Sequence, residues 1–427
     1  MPRSYAHLVA RELSASLASD SWLNTRLGLN GTDVAARAAL PRRALLWHDE
    51  RVDGHLSFLL FPATATLVAG FRLASGWSVR VGVGRTLRFV NELAALRRGD
   101  IFCWINPLTL TADHRPALPF RELRARGVHL VLYSTESSKW CPDRAKMVDE
   151  VWEFGWAGLQ ACTTGSCKQS FPAPSFNGTR AATVDCAALK GDVPQLTLRL
   201  VPPGYLPSTP AALEHAVHDD APHACERLQF LGSSVQGLQP KDWRVGCFDV
   251  LKRALGSRLV ETYSAWDDRS LSRILASGGF YLNLHKGCEA GGRSPVTFRT
   301  SRILSMPRGG VILSERCHPL DEAEFRGLMH FMPAADIPAA FERLCRDSSA
   351  WSRQAARAHR RFRARFEPQR LFERARVYEL LASLNRKARQ AEGTRTAAPA
   401  EPSGSAPAPR VTTNLAPCTV DTTKPTP

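Results

Sequence analysis

The stretch from Gly279 to Phe331 concentrates the residues with the most chemical potential. An apolar run, Phe280 to Leu284, leads directly into His285 and Lys286, then into a Gly-rich loop, then into a helix opening near Thr297 to Ser301. Such an opening exposes backbone N–H groups and the positive end of a dipole, which suits a diphosphate. Arg299 and Arg302 lie three residues apart, hence on one helical face, where guanidinium forks match phosphate oxygens. The two arginines alone also fit a solvated helix face. The reading rests on the strand, the His-Lys pair, the small-residue loop and the arginines occurring together.

A catalytic base would have to come from elsewhere in the chain. His48 and Asp49 follow an apolar run ending at Trp47, and Glu136 follows one ending at Tyr133. Each sits where a strand end meets a cleft, and each is equally suited to a turn or cap. Asp267 and Asp268 precede a helical pattern, where Asp is a common N-cap, so no metal is assigned to them. Eleven cysteines are scattered singly, and the one close pair, Cys162 and Cys167, has no second pair nearby. This reads as reduced thiols in a cytoplasmic chain, with no zinc and no cofactor.

These residues need a scaffold, and the pattern supplies a parallel α/β one. Ala44–Trp47, Ser78–Val83, Ile101–Ile105, Val128–Tyr133, Glu150–Phe154 and Thr197–Val201 read as strands, with helices at Thr86–Arg98 and Pro119–Arg126. Pro174–Gly191 reads as a surface excursion. A second series has strands at Leu228–Leu231, Arg258–Thr262, Phe280–Leu284 and Val311–Leu313, with helices at Trp243–Leu255, Asp268–Ser277 and Thr300–Met306. The expected organisation is an N-terminal extension over 1–40, a Rossmann-like domain over 41–207, a linker over 208–226 and a second Rossmann-like domain over 227–348. Basic helices over 349–389, broken at Pro368, and a disordered tail over 390–427 complete it. Two such domains enclose a cleft, and ligands in such sheets bind beyond the carboxyl ends of the strands.

Composition narrows the partners. The formal net charge is +16, and residues 351–389 hold twelve basic side chains against three acidic ones, or +9 of that total. The rest of the chain is only mildly basic, unlike a general nucleic-acid coat. No RNP, KH or zinc-finger pattern appears, and the arginines lack interleaved exposed aromatics apart from Phe362 and Phe366, which weakens a nucleic-acid reading. The longest uncharged apolar run, Leu56–Phe71, is interrupted by Pro62, Thr64 and Thr66 and is too short for a bilayer span, so a buried helix is expected. The first twenty residues lack the apolar core of a secretory signal.

The segments FYLNLHK, TFRTSRIL and GGVILSE within Phe280–Glu315 resemble the C-terminal half of GT-B glycosyltransferases of the group-one type, especially the CgeB-like branch. The resemblance extends through DEAEFRG at Asp321–Gly327 and HFMPAADIPAAFERL at His330–Leu344, and upstream to RLQFLGS at Arg227–Ser233 and LRLVPPGY at Leu198–Tyr205. It implies two facing Rossmann-like domains, C-terminal helices crossing back to the first, and metal-independent transfer of a sugar from a nucleotide-sugar donor. By the same resemblance Gly232 and Ser233 line the donor cleft, and His285 and Lys286 face the phosphates. Arg299 and Arg302, with Ser301 on the same helix, compensate diphosphate charge, and Ser314 and Glu315 lie near the ribose or sugar. Many group-one retaining enzymes carry two glutamates beside the donor sugar; the aligned positions are Val296 and Leu304, which keeps a non-catalytic binding protein on the same scaffold as the alternative. The Arg-containing helix before the Gly-Gly strand also resembles an exostosin-like family of the same fold.

Overall fold

The computed structural model of the chain describes residues 42–48, 54–83, 87–105, 120–134, 147–159, 181–185, 195–206, 225–232, 243–262, 271, 274–275, 278–285, 297–307 and 309–396. The first lobe opens with β1 (Arg42–His48), a nearly continuous buried run of the kind a strand needs when both sheet faces are covered. It continues through α1 (Gly54–Arg72), β2 (Trp77–Val83), α2 (Leu87–Ala94), β3 (Ile101–Ile105), α3 (Phe120–Ala125), β4 (His129–Ser134), β5 (Glu150–Glu153), β6 (Ala181–Asp185) and β7 (Gln195–Leu200). The sheet order is β2-β1-β3-β4-β5-β7-β6, parallel except for β6. Alternate residues feed opposite faces: Ala44 and Leu46 pack with Phe71 of α1, and Leu45 and Trp47 pack with Phe102 and Trp104 of β3.

The second lobe comprises β8 (Leu228–Leu231), α4 (Trp243–Leu255), β9 (Leu259–Thr262), β10 (Gly279–Asn283), α5 (Thr297–Ser305), β11 (Gly310–Glu315), α6 (Pro319–Glu324), β12 (His330–Met332) and α7 (Ile337–Cys345). Its five strands are parallel in the order β12-β11-β10-β8-β9. Each lobe thus contains the same doubly wound pattern, in which the first strand is flanked by the second on one side and the third on the other. Crossovers leave in opposite directions there, so a crevice opens beyond the carboxyl ends of β1 and β3 in one lobe and of β8 and β10 in the other.

Three helices close the chain: α8 (Ser348–Phe366), α9 (Pro368–Arg374) and α10 (Val377–Thr396). α8 buries Trp351, Ala355, Ala358, Phe362 and Phe366 in the second lobe, whereas Phe372, Leu381 and Leu384 of α9 and α10 join the core of the first. The terminal helices therefore cross back, as the resemblance implies. The chain passes between lobes at Gly204, whose N–H donates to Thr66 Oγ1 at 2.7 Å while Tyr205 N–H donates to the Phe366 carbonyl at 2.7 Å. A side chain at 204 would collide with that carbonyl at 2.5 Å and with Leu371 at 2.8 Å. Thr66 is thus a docking group inside the expected buried helix rather than a mere interruption of it.

Several expectations need correction. The segment read as a surface excursion contains β6, an antiparallel edge strand too short and small-sided to show a period. β12 lay unread inside a stretch dominated by the helix that follows it. The basic helices break twice: besides Pro368, the chain turns at Ala375–Arg376, with Arg376 at φ 55° and both carbonyls accepting from Arg199 Nη1 at 2.7 and 3.0 Å. The expected tail start at 390 is overturned, because α10 runs to Thr396, and residues 397–427 lie outside the described residues. Phe362 and Phe366 are fully buried, so neither offers a stacking platform for bases. Residues 1–40, the Ser208–His223 link, Cys162, Cys167, Asp267, Asp268 and Val296 lie outside the described residues. Among the described residues no helix is long and apolar enough to cross a membrane, and no group of three or more metal-ligating side chains converges.

Candidate active site

The switch point of the second lobe is built from three strand ends and one helix start. β10 delivers Asn283, 1% exposed, whose Nδ2 donates to Ser314 Oγ on β11 at 3.0 Å. Its Oδ1 has no partner among the described residues, and the same holds for Thr297 Oγ1 at the first turn of α5, also 1% exposed. Leaving such a buried atom unsatisfied costs about 1–3 kcal/mol, so two of them near one strand end mark a place built for a ligand's polar atoms or for water.

Arg299 leaves the same first turn and lies across the end of β8. Its guanidinium carbon is 5.0 Å from the centroid of the Phe230 ring, and Nη2 is 3.2 Å from the point a Cβ on Gly232 would occupy. The glycine is required sterically: any side chain there would press on both Phe230 and Arg299. The aromatic face braces the guanidinium beside the end of β8. Arg302 sits in the last turn of α5, half-buried, and Ser301 donates its hydroxyl to the Phe298 carbonyl at 3.1 Å. Ser314 Oγ donates to the Glu315 carbonyl at 3.0 Å.

Glu315 holds the strand ends together. Its Oε1 accepts the backbone N–H of His285, and Oε2 accepts the Cys247 thiol of α4 at 3.6 Å. Burial, with the nearby Glu315 charge second, pushes the Cys247 thiol up to about 12. His285 is 5% exposed immediately after β10. The structure therefore gathers Gly232, His285, Arg299, Ser314 and Glu315 around β8, β10 and β11. Ser233 and Lys286 lie outside the described residues.

The first lobe presents His48 at the carboxyl end of β1, the corresponding switch point. Its Nε2 is 2.8 Å from Thr64 Oγ1 of α1, and Nδ1 has no partner among the described residues. Burial lowers its pKa to about 4, so the ring is neutral at pH 7. Asp49 and Glu136 lie outside the described residues.

The lobes meet beside these edges. Phe298 of α5 packs on Phe154 at 5.2 Å, and the Asp321 carboxylate of α6 accepts the N–H groups of Trp156 at 2.9 Å and Ala157 at 3.2 Å. Between them lies Glu153, fully buried at the end of β5. Burial raises its pKa to about 8; the Asp321 charge adds to the rise, and hydrogen bonds from Ser134 and the Phe154 backbone oppose it. The sequence analysis passed over Glu153 as part of a strand. Its only signal was an acidic residue at the carboxyl end of the aromatic-rich EVWEF run.

No family model and no curated protein matches the chain. Solved structures do. A crystal structure of Anabaena Alr3699/HepE in complex with UDP and glucose is similar at 10% identity, with 83% of this chain and 100% of that one covered and a TM-score of 0.43. Sucrose-phosphate synthase from Thermosynechococcus elongatus shares 10% identity over 83% and 100% of the two chains, at a TM-score of 0.42. The α,α-trehalose 6-phosphate synthase of Burkholderia multivorans shares 14% over 83% and 98%, at 0.43.

Proposed function

We propose that the chain is a glycosyltransferase that holds a nucleoside-diphosphate sugar against the second lobe and moves the sugar to an acceptor held by the first. The observation that carries this reading is the junction of β8, β10 and α5. A helix start and a guanidinium braced on Phe230 stand there, and the end of β10 and the first turn of α5 each carry a buried oxygen, Asn283 Oδ1 and Thr297 Oγ1, with no partner among the described residues. Their chemistry fits a pyrophosphate: N–H groups and the guanidinium for its oxygens, Thr297 Oγ1 as a further donor, and Asn283 Oδ1 as an acceptor for a sugar or ribose hydroxyl.

In the transfer, an acceptor oxygen attacks the anomeric carbon, the bond from that carbon to the β-phosphate oxygen breaks, and the electron pair stays on the diphosphate. Arg299, Lys286 and the start of α5 stabilise the negative charge that develops, which lets the scheme run without a metal. Ser314 and Glu315 fix the strand ends against which the nucleoside lies, and Ser233, Ser301 and Arg302 border the donor. The acceptor proton passes to a first-lobe base. His48 suits that role by its position at a strand end, with Asp49 and Glu136 the other bases the sequence offers.

Calorimetric titration with UDP, GDP and their sugars tests the donor half. Arg299→Ala is expected to weaken nucleoside-diphosphate binding by about ten- to a hundredfold, the range for a charged hydrogen bond, while the unfolding temperature moves little. Absent binding by the wild type, or affinity untouched by the substitution, would refute the assignment. Leu304 favours a second reading, because it is packed in the second-lobe core where many retaining enzymes place a glutamate. A binding protein without transfer would take up nucleotide and release no diphosphate from any sugar donor.

A further inference from the structure

Cys225 precedes β8, and Cys345 is the last residue of α7, so the pair brackets all five strands of the second lobe. The two residues lie side by side. Cys225 Sγ donates to the Cys345 carbonyl oxygen at 3.6 Å, and Cys345 Sγ donates to the Cys225 carbonyl oxygen at 3.7 Å. Both are half-exposed, whereas the other described cysteines, Cys103, Cys247 and Cys317, are buried.

One arginine fixes this arrangement from both sides. Arg258 donates through Nη2 to the Cys225 carbonyl at 3.0 Å, pairs through Nη1 with Glu342 one turn before Cys345, and lies 4.7 Å over the Phe341 ring. The backbones around the two sulfurs are thus held together by contacts that do not involve sulfur. A bond between the sulfurs would need little backbone movement, which is the usual obstacle to closing a disulfide.

We propose that Cys225 and Cys345 form an oxidisable dithiol, a modification site at which a low-molecular-weight disulfide such as oxidised glutathione installs a bridge that closes the second lobe into a covalent ring. The Cys225 thiolate attacks one sulfur of the oxidant, forming a mixed disulfide and releasing one glutathione thiolate. The Cys345 thiolate then attacks Cys225 Sγ, forming the protein disulfide and expelling the second glutathione. Two protein thiols lose two protons and two electrons, and one oxidised glutathione becomes two reduced ones. Burial holds the Cys345 thiol above its ordinary range, so the thiolate needed for the closing step becomes more abundant as pH rises.

The full chain, with its eleven cysteines, is incubated with oxidised glutathione and digested without reduction for mass spectrometry. The expected product is one cross-linked peptide joining Cys225 to Cys345, two hydrogens lighter than its parts, and an unfolding temperature raised by on the order of ten degrees. Cys225→Ser and, separately, Cys345→Ala abolish both changes, while nucleoside-diphosphate affinity stays as in the untreated protein. Two separate glutathione adducts without a cross-link, a bridge to any other cysteine, or two thiols that stay free would overturn the proposal. The wild-type peptide map decides the matter even should a variant fail to fold.

Discussion

Two glutamates three residues apart on β5 meet opposite fates. Glu150, at the start of the strand, is bound at both oxygens by Arg199, with Nε–Oε2 at 2.6 Å and Nη2–Oε1 at 2.7 Å, and Trp152 Nε1 adds a bond at 2.8 Å. Burial alone would raise its pKa, but the Arg199 bonds and His129 outweigh that and bring it to about 2. Glu153, at the other end, faces the Asp321 carboxylate: burial foremost, with that charge adding to it against a hydrogen bond from Ser134, raises its pKa to about 8. The amino edge of the sheet is therefore electrostatically settled, and the carboxyl edge, where the lobes meet, is not. Unsettled polar groups at the carboxyl edge mark the end of the sheet at which such folds bind ligands.

Breaking the settled end should have the larger effect. Arg199→Met strands the buried Glu150 and frees the Ala375 and Arg376 carbonyls, so unfolding in urea is expected to show a loss of about 3–5 kcal/mol at pH 7. An unchanged midpoint would mean that the pair contributes nothing net.

The two residues also pull stability in opposite directions with pH. Glu150 contributes stability that is complete above its unfolded value of 4.5 and is lost as pH falls toward 2. Glu153 binds its proton more tightly when folded, so stability is highest below 4.5, falls as pH rises from there, and levels off beyond about 8. Glu153→Gln should remove that decline, leaving the variant more stable than wild type at pH 9 by on the order of a few kcal/mol and nearly equal to it at pH 4. Urea midpoints measured across the range check the sign; parallel curves for the two proteins would show that the carboxyl is not titrating.

Asp321→Asn sharpens the contrast most gently. It removes the neighbouring charge and weakens the bonds from Trp156 and Ala157, and about 1–2 kcal/mol of stability should go with them at neutral pH. The same change should move the pH-dependent decline toward lower pH, since one cause of the raised Glu153 value is gone. A decline that keeps its position would assign the whole rise to burial.

Much of this architecture was legible in the residues. Runs such as IFCWI and GFYLN are apolar on both faces, which only a covered parallel sheet accommodates, and Trp243–Leu255 emerged as a helix at the expected bounds. β6 was not legible because its residues are short-sided, and β12 because three residues are too few to show a period; neighbours rather than pattern make them strands. The turn at Arg376 is stabilised by Arg199, 177 residues away, a contact no local reading of ERARVYEL contains. In the candidate site, Gly232 and Arg299 were singled out and are in contact. Asn283 and Thr297 were missed because their distinction is an atom left without a partner, which appears only after packing. Glu153 acquired its character from burial and from an aspartate of the other lobe.

The crossing at Gly204 has a mechanical meaning. There the main chain is pinned by a hydroxyl of α1 on one side and by the final carbonyl of α8 on the other, with no room for even a methyl group. A main chain so clamped cannot slide past either helix, so the end of the first lobe's sheet is rivetted to α1 and to the close of α8 at one point.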